Sequence, residues 1–261
     1  MPIVCPISLP RLSTEEFAAF DYEVMKHAFA CQGELGGLAD EGIYQADFAA
    51  RLSAAGMESI REVPVKVSFR SFCKNYFLDL VIADTAIYEL KAVRKLTEAH
   101  RMQLINYLLM LGVGHGKLVN FRGSSVDAQF VNAPLTTAER RSFQVHAQSW
   151  KGGASIRDWI IEMLRDWGTA LELPLYHQAI VHLLGGDEIV TKLLPMQRNG
   201  LSLGNQRFHL MEDGHAFRVT AYGRLTKAYG SQVRRLLAHS PVKAVHWINI
   251  GHHDVTFTTI T

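Results

Sequence analysis

Similar residues recur about 130 positions apart in this chain. Val63-Pro64 has a counterpart in Leu194-Pro195, Asn75 in Asn205, and Lys117-Leu-Val-Asn120 in His246-Trp-Ile-Asn249. The separations of 131, 130 and 129 residues are nearly constant, as a repeat period is. In a chain of 261 residues, that period predicts two α/β units built alike. The hydrophobic pattern agrees. Apolar residues at helical spacing predict helices over 14–31, with Thr14 as cap, and over 40–55, then 97–111, 154–167 and about 175–184. Alternating or short apolar runs predict strands over 63–69, 76–82, 86–93, 117–121 and 128–131. In the second half they predict strands near 208–211, 216–222, 244–250 and 255–260. The polar stretch from about 134 to 151 reads as a connector. The expected domains are therefore residues 1–133, a connector at 134–153, and residues 154–261.

Composition narrows the classes. Apolar residues make up 48% and charged residues 20%, a globular balance. No apolar run approaches the ~18 residues of a membrane helix, and the start lacks the order of a signal peptide. Cys5, Cys31 and Cys73 are odd in number and widely spaced. They form neither a metal pair nor a disulfide framework, so a cytoplasmic setting without membrane association is expected. With 27 basic and 25 acidic residues the formal charge is +2. Net charge alone does not attract nucleic acid, so local basic residues would have to.

The chemistry concentrates in Tyr76 to Lys91. A three-residue loop, Ala83-Asp84-Thr85, pairs Ile82 with Ala86 and sets Asp79 opposite Glu89. Alternation puts Lys91 on the face of Glu89, while Leu78, Leu80, Ile82 and Leu90 face a core. Opposed like charges destabilise a sheet unless something compensates them. Two carboxylates share a proton, recruit a cation or pair with lysine. Oxygen ligation suits Mg²⁺ or Mn²⁺, and a lysine beside it orients water or offsets charge on a phosphate. The competing reading is an edge hairpin with a solvated salt bridge, since Glu-x-Lys alone is common. On the next predicted helix, Gln103 and Tyr107 are four apart and share a face, either as the polar border of an apolar stripe or as site residues.

Asp79, Glu89-x-Lys91 and Gln103-x-x-x-Tyr107 together resemble the PD-(D/E)XK nuclease superfamily, and the Gln-x-x-x-Tyr element is similar to its RecB-like branch. Leu35-Gly-Gly-Leu-Ala-Asp-Glu-Gly-Ile-Tyr44 resembles the motif of the GxxExxY proteins, with Glu41 and Tyr44 matching and the motif glycine displaced to Gly36 and Gly37. The resemblance covers residues 14–131. It implies a restriction-endonuclease-like α/β fold, a mixed sheet flanked by helices, with the second lobe a degenerate copy or an accessory. It implies metal ligation by Glu41, Asp79, Glu89 and the Leu90 carbonyl, and a catalytic set of Asp79, Glu89, Lys91, Gln103 and Tyr107. The expected activity is Mg²⁺- or Mn²⁺-dependent hydrolysis of nucleic acid, DNA foremost. Lys66, Arg70, Lys74, Arg94, Lys95 and Arg101 flank the site in sequence as phosphate contacts. Two other readings are a non-catalytic nucleic-acid or protein interaction module and another phosphotransfer or hydrolytic enzyme on the same metal site. A homo-oligomer is left open.

In the second half, the period places His209, Val219 and Ala221 where Asp79, Glu89 and Lys91 stand. His252-His253-Asp254 falls in an expected turn, which argues against a metal site there. Gly112-x-Gly114-x-Gly116 reads as a helix stop, and neither a P-loop nor a Gly-x-Ser-x-Gly elbow occurs. Trp150, Trp159 and Trp167 are expected to be core or interface residues.

Overall fold

In a computed structural model, residues 2–223 and 227–261 are described. The chain divides into two compact units. The first comprises 1–68 and 73–137, and the second comprises 69–72 and 138–261.

The first unit runs β1 (Ile3–Val4), α1 (Thr14–Leu35), α2 (Glu41–Ala54), β2 (Ser59–Phe69), β3 (Phe72–Ile82), β4 (Ala86–Lys91), α3 (Glu98–Leu111), β5 (His115–Asn120) and β6 (Asp127–Asn132). Its sheet has the order β1-β2-β3-β4-β5-β6. β3 and β4 are antiparallel, β4 and β5 parallel, and β5 and β6 antiparallel. One core joins the helices to the sheet: Phe17, Val24 and Ala28 of α1 and Tyr44, Phe48 and Leu52 of α2 pack with Leu80, Ile82, Tyr88, Leu90, Val119 and Phe121.

The ends of α1 differ from the sequence expectation in informative ways. Ser13, not Thr14, is the cap, because Glu16 stands three residues on. The Ser13 hydroxyl accepts from the Glu16 N–H, and the Glu16 carboxylate accepts from the Ser13 N–H. The helix also runs through Gly33 and ends at Gly36, whose φ of 71° is costly for other residues. Gly37 has a separate reason: a Cβ there would lie 2.7 Å from the Gly123 carbonyl oxygen.

After α4 (Thr137–Arg141), the second unit runs β7 (Gln144–Ser149), α5 (Ala154–Trp167), α6 (Leu173–Leu183), α7 (Asp187–Val190), β8 (Thr191–Arg198), β9 (Leu201–Glu212), β10 (His215–Thr220), α8 (Lys227–Leu237), β11 (Ala244–Ile250) and β12 (Asp254–Ile260). The supposed connector thus holds a helix and a strand, and β7 pairs in parallel with β12. Its polar composition suits an edge strand that buries little, which is why an apolar pattern did not mark it. The sheet order is β7-β12-β11-β10-β9-β8. Apart from β1, β7 and the short α7, the two units share a succession of two helices, three strands, a helix and two strands. The pairing senses match too: β9–β10 antiparallel, β10–β11 parallel, β11–β12 antiparallel. Trp159 and Trp167 are buried, and Trp167 packs with Phe69, Phe72 and Tyr176 of its own unit.

Candidate active site

β4 is buried at all six positions, although two of them are Glu89 and Lys91. Buried ionised groups are rare unless paired, because stripping water from a charge is expensive. The hairpin explains how they arise. Ile82 pairs with Ala86, Val81 with Ile87 and Leu80 with Tyr88 across the Ala83-Asp84-Thr85 loop. Ala83 and Asp84 take positive φ, 50° and 46°, to close it. The regular ladder ends at Leu80–Tyr88. Beyond it the Asp79 carboxylate accepts the Leu90 N–H at 2.8 Å, so a side chain replaces a backbone acceptor.

Lys91 Nζ lies at the centre. It is 2.6 Å from Glu89 Oε1, 3.3 Å from Asp79 Oδ2, 2.8 Å from the Leu90 carbonyl oxygen and 3.9 Å from Glu41 Oε1. Glu41 arrives from the first turn of α2, and its Oε2 accepts the Ala92 N–H at 3.3 Å. Three carboxylates therefore surround one ammonium, and the second oxygen of Glu89, with the residue 0% exposed, has no hydrogen-bond partner. Burial, followed by the Asp79 charge, pushes the Glu89 carboxyl up to about 8. Burial by itself would lower the Lys91 pKa, but the carboxylates of Glu89, Asp79 and Glu41 outweigh it and raise it. A site with surplus negative charge and an orphaned carboxylate oxygen is suited to a hard divalent cation, and the donors are all oxygen. Glu41, Asp79, Glu89 and the Leu90 carbonyl fit Mg²⁺ or Mn²⁺ on that ground.

Gln103 and Tyr107 meet as their spacing foresees: the Gln103 amide donates to the Tyr107 hydroxyl at 3.1 Å. Burial raises the Tyr107 pKa to about 12, with the Glu89 and Asp79 charges adding to it. The Tyr107 ring stands edge-on to Tyr76 at 6.2 Å, and Lys74 Nζ lies 4.5 Å from the Tyr76 ring. Of the other basic residues, Lys66, Arg94 and Lys95 are exposed. Arg70 pairs with Glu162 at 2.8 Å and Arg101 with Glu98 at 3.2 Å.

Three residues support the site: Gln45 was not marked by the sequence, and Tyr44 and Asn120 were marked by motif and repeat without a role. Gln45, one turn after Glu41, donates to the Asp79 carbonyl at 2.6 Å. The Tyr44 hydroxyl donates to the Gly36 carbonyl at 2.6 Å and accepts the Ala39 N–H, fixing the entry to α2. The Asn120 side chain takes both the N–H and the C=O of Val93, at 3.0 and 2.8 Å, and so holds the chain that leaves β4. The recurrence of Asn120 at Asn249 was the available signal, but its purpose was not legible.

Residues 18–132 match the family model of the PD-(D/E)XK nuclease superfamily. Every residue of the carboxylate–lysine cluster lies within that match. Neither the curated proteins nor the solved structures yield a match to the chain.

Among the described residues, the second unit does not assemble such a cluster. Its β9–β10 turn is Asp213-Gly214, against Ala83-Asp84-Thr85 in the first, and positions beyond it correspond at 129 residues rather than 130. The parallel registers fix this. Lys91 pairs with Asn120 and Thr220 with Asn249, while Glu89 pairs with Leu118 and Arg218 with Trp247. The counterparts of Glu89 and Lys91 are thus Arg218 and Thr220, not Val219 and Ala221. Across the hairpin Ala216 pairs with Leu210 as Ile87 pairs with Val81, so the counterpart of Asp79 is Phe208 and not His209, whose ring packs on His177 at 4.4 Å. His252 and His253 lie in the turn between β11 and β12, as expected.

Proposed function

We propose that the first unit is a metal-dependent nuclease that hydrolyses phosphodiester bonds of nucleic acid, DNA foremost, and that it is a GxxExxY-type, RecB-like member of its superfamily. The observation that carries this reading is the buried β4, where Glu89 keeps an unpartnered oxygen beside Asp79, Glu41 and Lys91. A salt bridge built for stability would satisfy its oxygens.

In this reading Glu41, Asp79, Glu89 and the Leu90 carbonyl hold Mg²⁺ or Mn²⁺, which supplies Lewis-acid polarisation of the phosphate and lowers the pKa of water. Lys91 moves its ammonium from the carboxylates to the scissile phosphate, where it offsets developing charge and orients the attacking water. Asp79 keeps Leu90 and Lys91 in place through the Leu90 N–H. Gln103 and Tyr107 form a hydrogen-bonding wall beside the site and position the phosphate or a base. Lys66, Lys74, Arg94 and Lys95 supply the phosphate attraction that net charge does not. Arg101 joins them by exchanging its exposed carboxylate partner, a change of small cost for surface pairs, whereas Arg70 lies in the second unit, paired with Glu162.

The test is cleavage of single- and double-stranded DNA and of RNA with Mg²⁺ or Mn²⁺, by the wild-type chain and by Lys91→Ala. The reading expects cleavage only with metal, and its loss in a folded Lys91→Ala. No cleavage of any of these substrates by the wild type would favour an interaction module that keeps the nuclease architecture.

A further inference from the structure

The second unit carries a different cluster. Glu212 ends β9, His215 opens β10, and His246 is the third residue of β11. One ligand atom from each lies within 4.8 Å of the others. Glu212 Oε2 is 3.5 Å from His215 Nδ1 and 3.9 Å from His246 Nε2. The His246 side chain is 0% exposed. Its Nδ1 lies 3.0 Å from Thr259 Oγ1. When Nδ1–H donates there, Nε2 presents its lone pair to the centre of the cluster, the arrangement by which an outer partner orients a metal-binding histidine. Neither His246 Nε2 nor His215 Nδ1 has a hydrogen-bond partner, although both atoms are buried. Leaving such groups unsatisfied is costly unless something binds them.

The surroundings look built for this. Glu212 Oε1 accepts the Gly153 N–H at 2.8 Å, so the carboxylate is held with Oε2 toward the imidazoles. Trp150 covers His246 at 4.7 Å. A Cβ on Gly152 would come within 2.9 Å of the His246 ring and 2.8 Å of Trp150, so only glycine leaves this approach open.

The first unit handles the same place in another way. By the 129-residue correspondence His246 stands where Lys117 does, and Lys117 is ion-paired to Asp21, which also accepts from Tyr88. There every charge has a partner. The cluster is also remote from the place where the nuclease residues would fall: His246 and Asn249 are three residues, or about 10 Å, apart along β11.

We propose that Glu212, His215 and His246 bind one divalent transition ion of the Zn²⁺ class, with a fourth position left to water. Two imidazole nitrogens and one carboxylate oxygen suit that ion better than Mg²⁺ or Ca²⁺. Bonds of about 2.0–2.1 Å need only a modest contraction of the separations present. The ion clips the β9–β10 turn to β11.

Metal-free full-length protein titrated with Co²⁺, read by visible absorption and displaced with Zn²⁺, tests this. The wild type and Asp79→Asn, whose change is confined to the nuclease cluster, should each show one equivalent of low-symmetry cobalt absorption that Zn²⁺ bleaches. Zn²⁺ should also raise the melting temperature of both. His215→Ala, at a partly exposed position, should lose the absorption while keeping the wild-type circular dichroism. Outer partners of a metal ligand cost 10–100-fold in affinity, so Glu212→Gln should weaken binding by more than ~100-fold. Absence of saturable cobalt binding by the wild type, or binding unchanged in His215→Ala, would overturn the proposal. Loss in Asp79→Asn would assign the ion to the first unit and overturn it as well.

Discussion

Tyr44 and Tyr176 do the same work in the two units. Each hydroxyl donates at 2.6 Å to a carbonyl eight residues back, of Gly36 or Gly168, and accepts at 3.1 Å the N–H five residues back, of Ala39 or Leu171. Asn120 and Asn249 likewise bracket Val93 and Tyr222 in the same way. The scaffold contacts are held in common, and the charges are not. Where the first unit buries Glu89 and Lys91, the second has an exposed Arg218 and a Thr220 that accepts from Trp247 and donates to Asn249. Such sharing of strand order, pairing sense and locking residues is what an internal duplication leaves, and we propose one. The comparison teaches that structural locks and site chemistry separate cleanly. A lock is satisfied within its unit, whereas the site leaves a carboxylate oxygen waiting.

The sharpest way to break this contrast is to change equivalent positions. Glu89→Gln should lower cleavage by about 10²–10³-fold or more, the usual cost of removing a pre-positioned electrostatic group. Arg218→Ala, at the equivalent and exposed position of the second unit, should leave it within about twofold. Equal losses in DNA cleavage assays would make the second unit part of the active site.

The pH response separates the units next. Folded Glu89 holds its proton to about 8, against an ordinary carboxyl value of 4.5. The folded chain therefore binds more protons than the unfolded one between those values, so metal-free stability falls as pH rises through that window, by at most about 1.4 kcal/mol per unit. Glu89→Gln should flatten this slope in urea titrations at pH 5 and 8. By the same linkage, metal affinity at the first site should rise toward pH 8, by up to about tenfold per unit, with proton release.

The locks come next in size. Tyr44→Phe and Tyr176→Phe each remove two buried hydrogen bonds and should cost about 1–3 kcal/mol in denaturant unfolding. Only Tyr44→Phe should also weaken Mg²⁺ binding, because Tyr44 fixes the loop that presents Glu41. Smallest is Thr220→Val, which should cost about 1 kcal/mol and leave cleavage untouched. A loss of cleavage there would mean that the second unit's strand end contributes to the reaction.

Much of this was legible in advance, for physical reasons. The three-residue loop fixed the hairpin register by counting, so Asp79, Glu89 and Lys91 came together as foreseen. The helical spacing of Gln103 and Tyr107 likewise carried through. What stayed hidden depended on contacts distant in sequence. Gln45 is an ordinary helix glutamine until Asp79 is brought to it. Strand β7 is an edge strand without an apolar signature. The counterparts of the site residues shifted by one, to Phe208, Arg218 and Thr220, because a near-constant period does not reveal a single deletion. Glu212, His215 and His246 come from three strand positions with no motif spacing, so only the fold assembles them.

The central claim is that the first unit's carboxylates form a cation site rather than a stabilising salt bridge. Calorimetric titration of Mg²⁺ into the wild-type chain and into Asp79→Asn tests it most directly, since Mg²⁺ disfavours the imidazole-rich cluster of the second unit. The account predicts saturable one-site binding in the wild type and its loss in a folded Asp79→Asn. Equal heats from both proteins would contradict it.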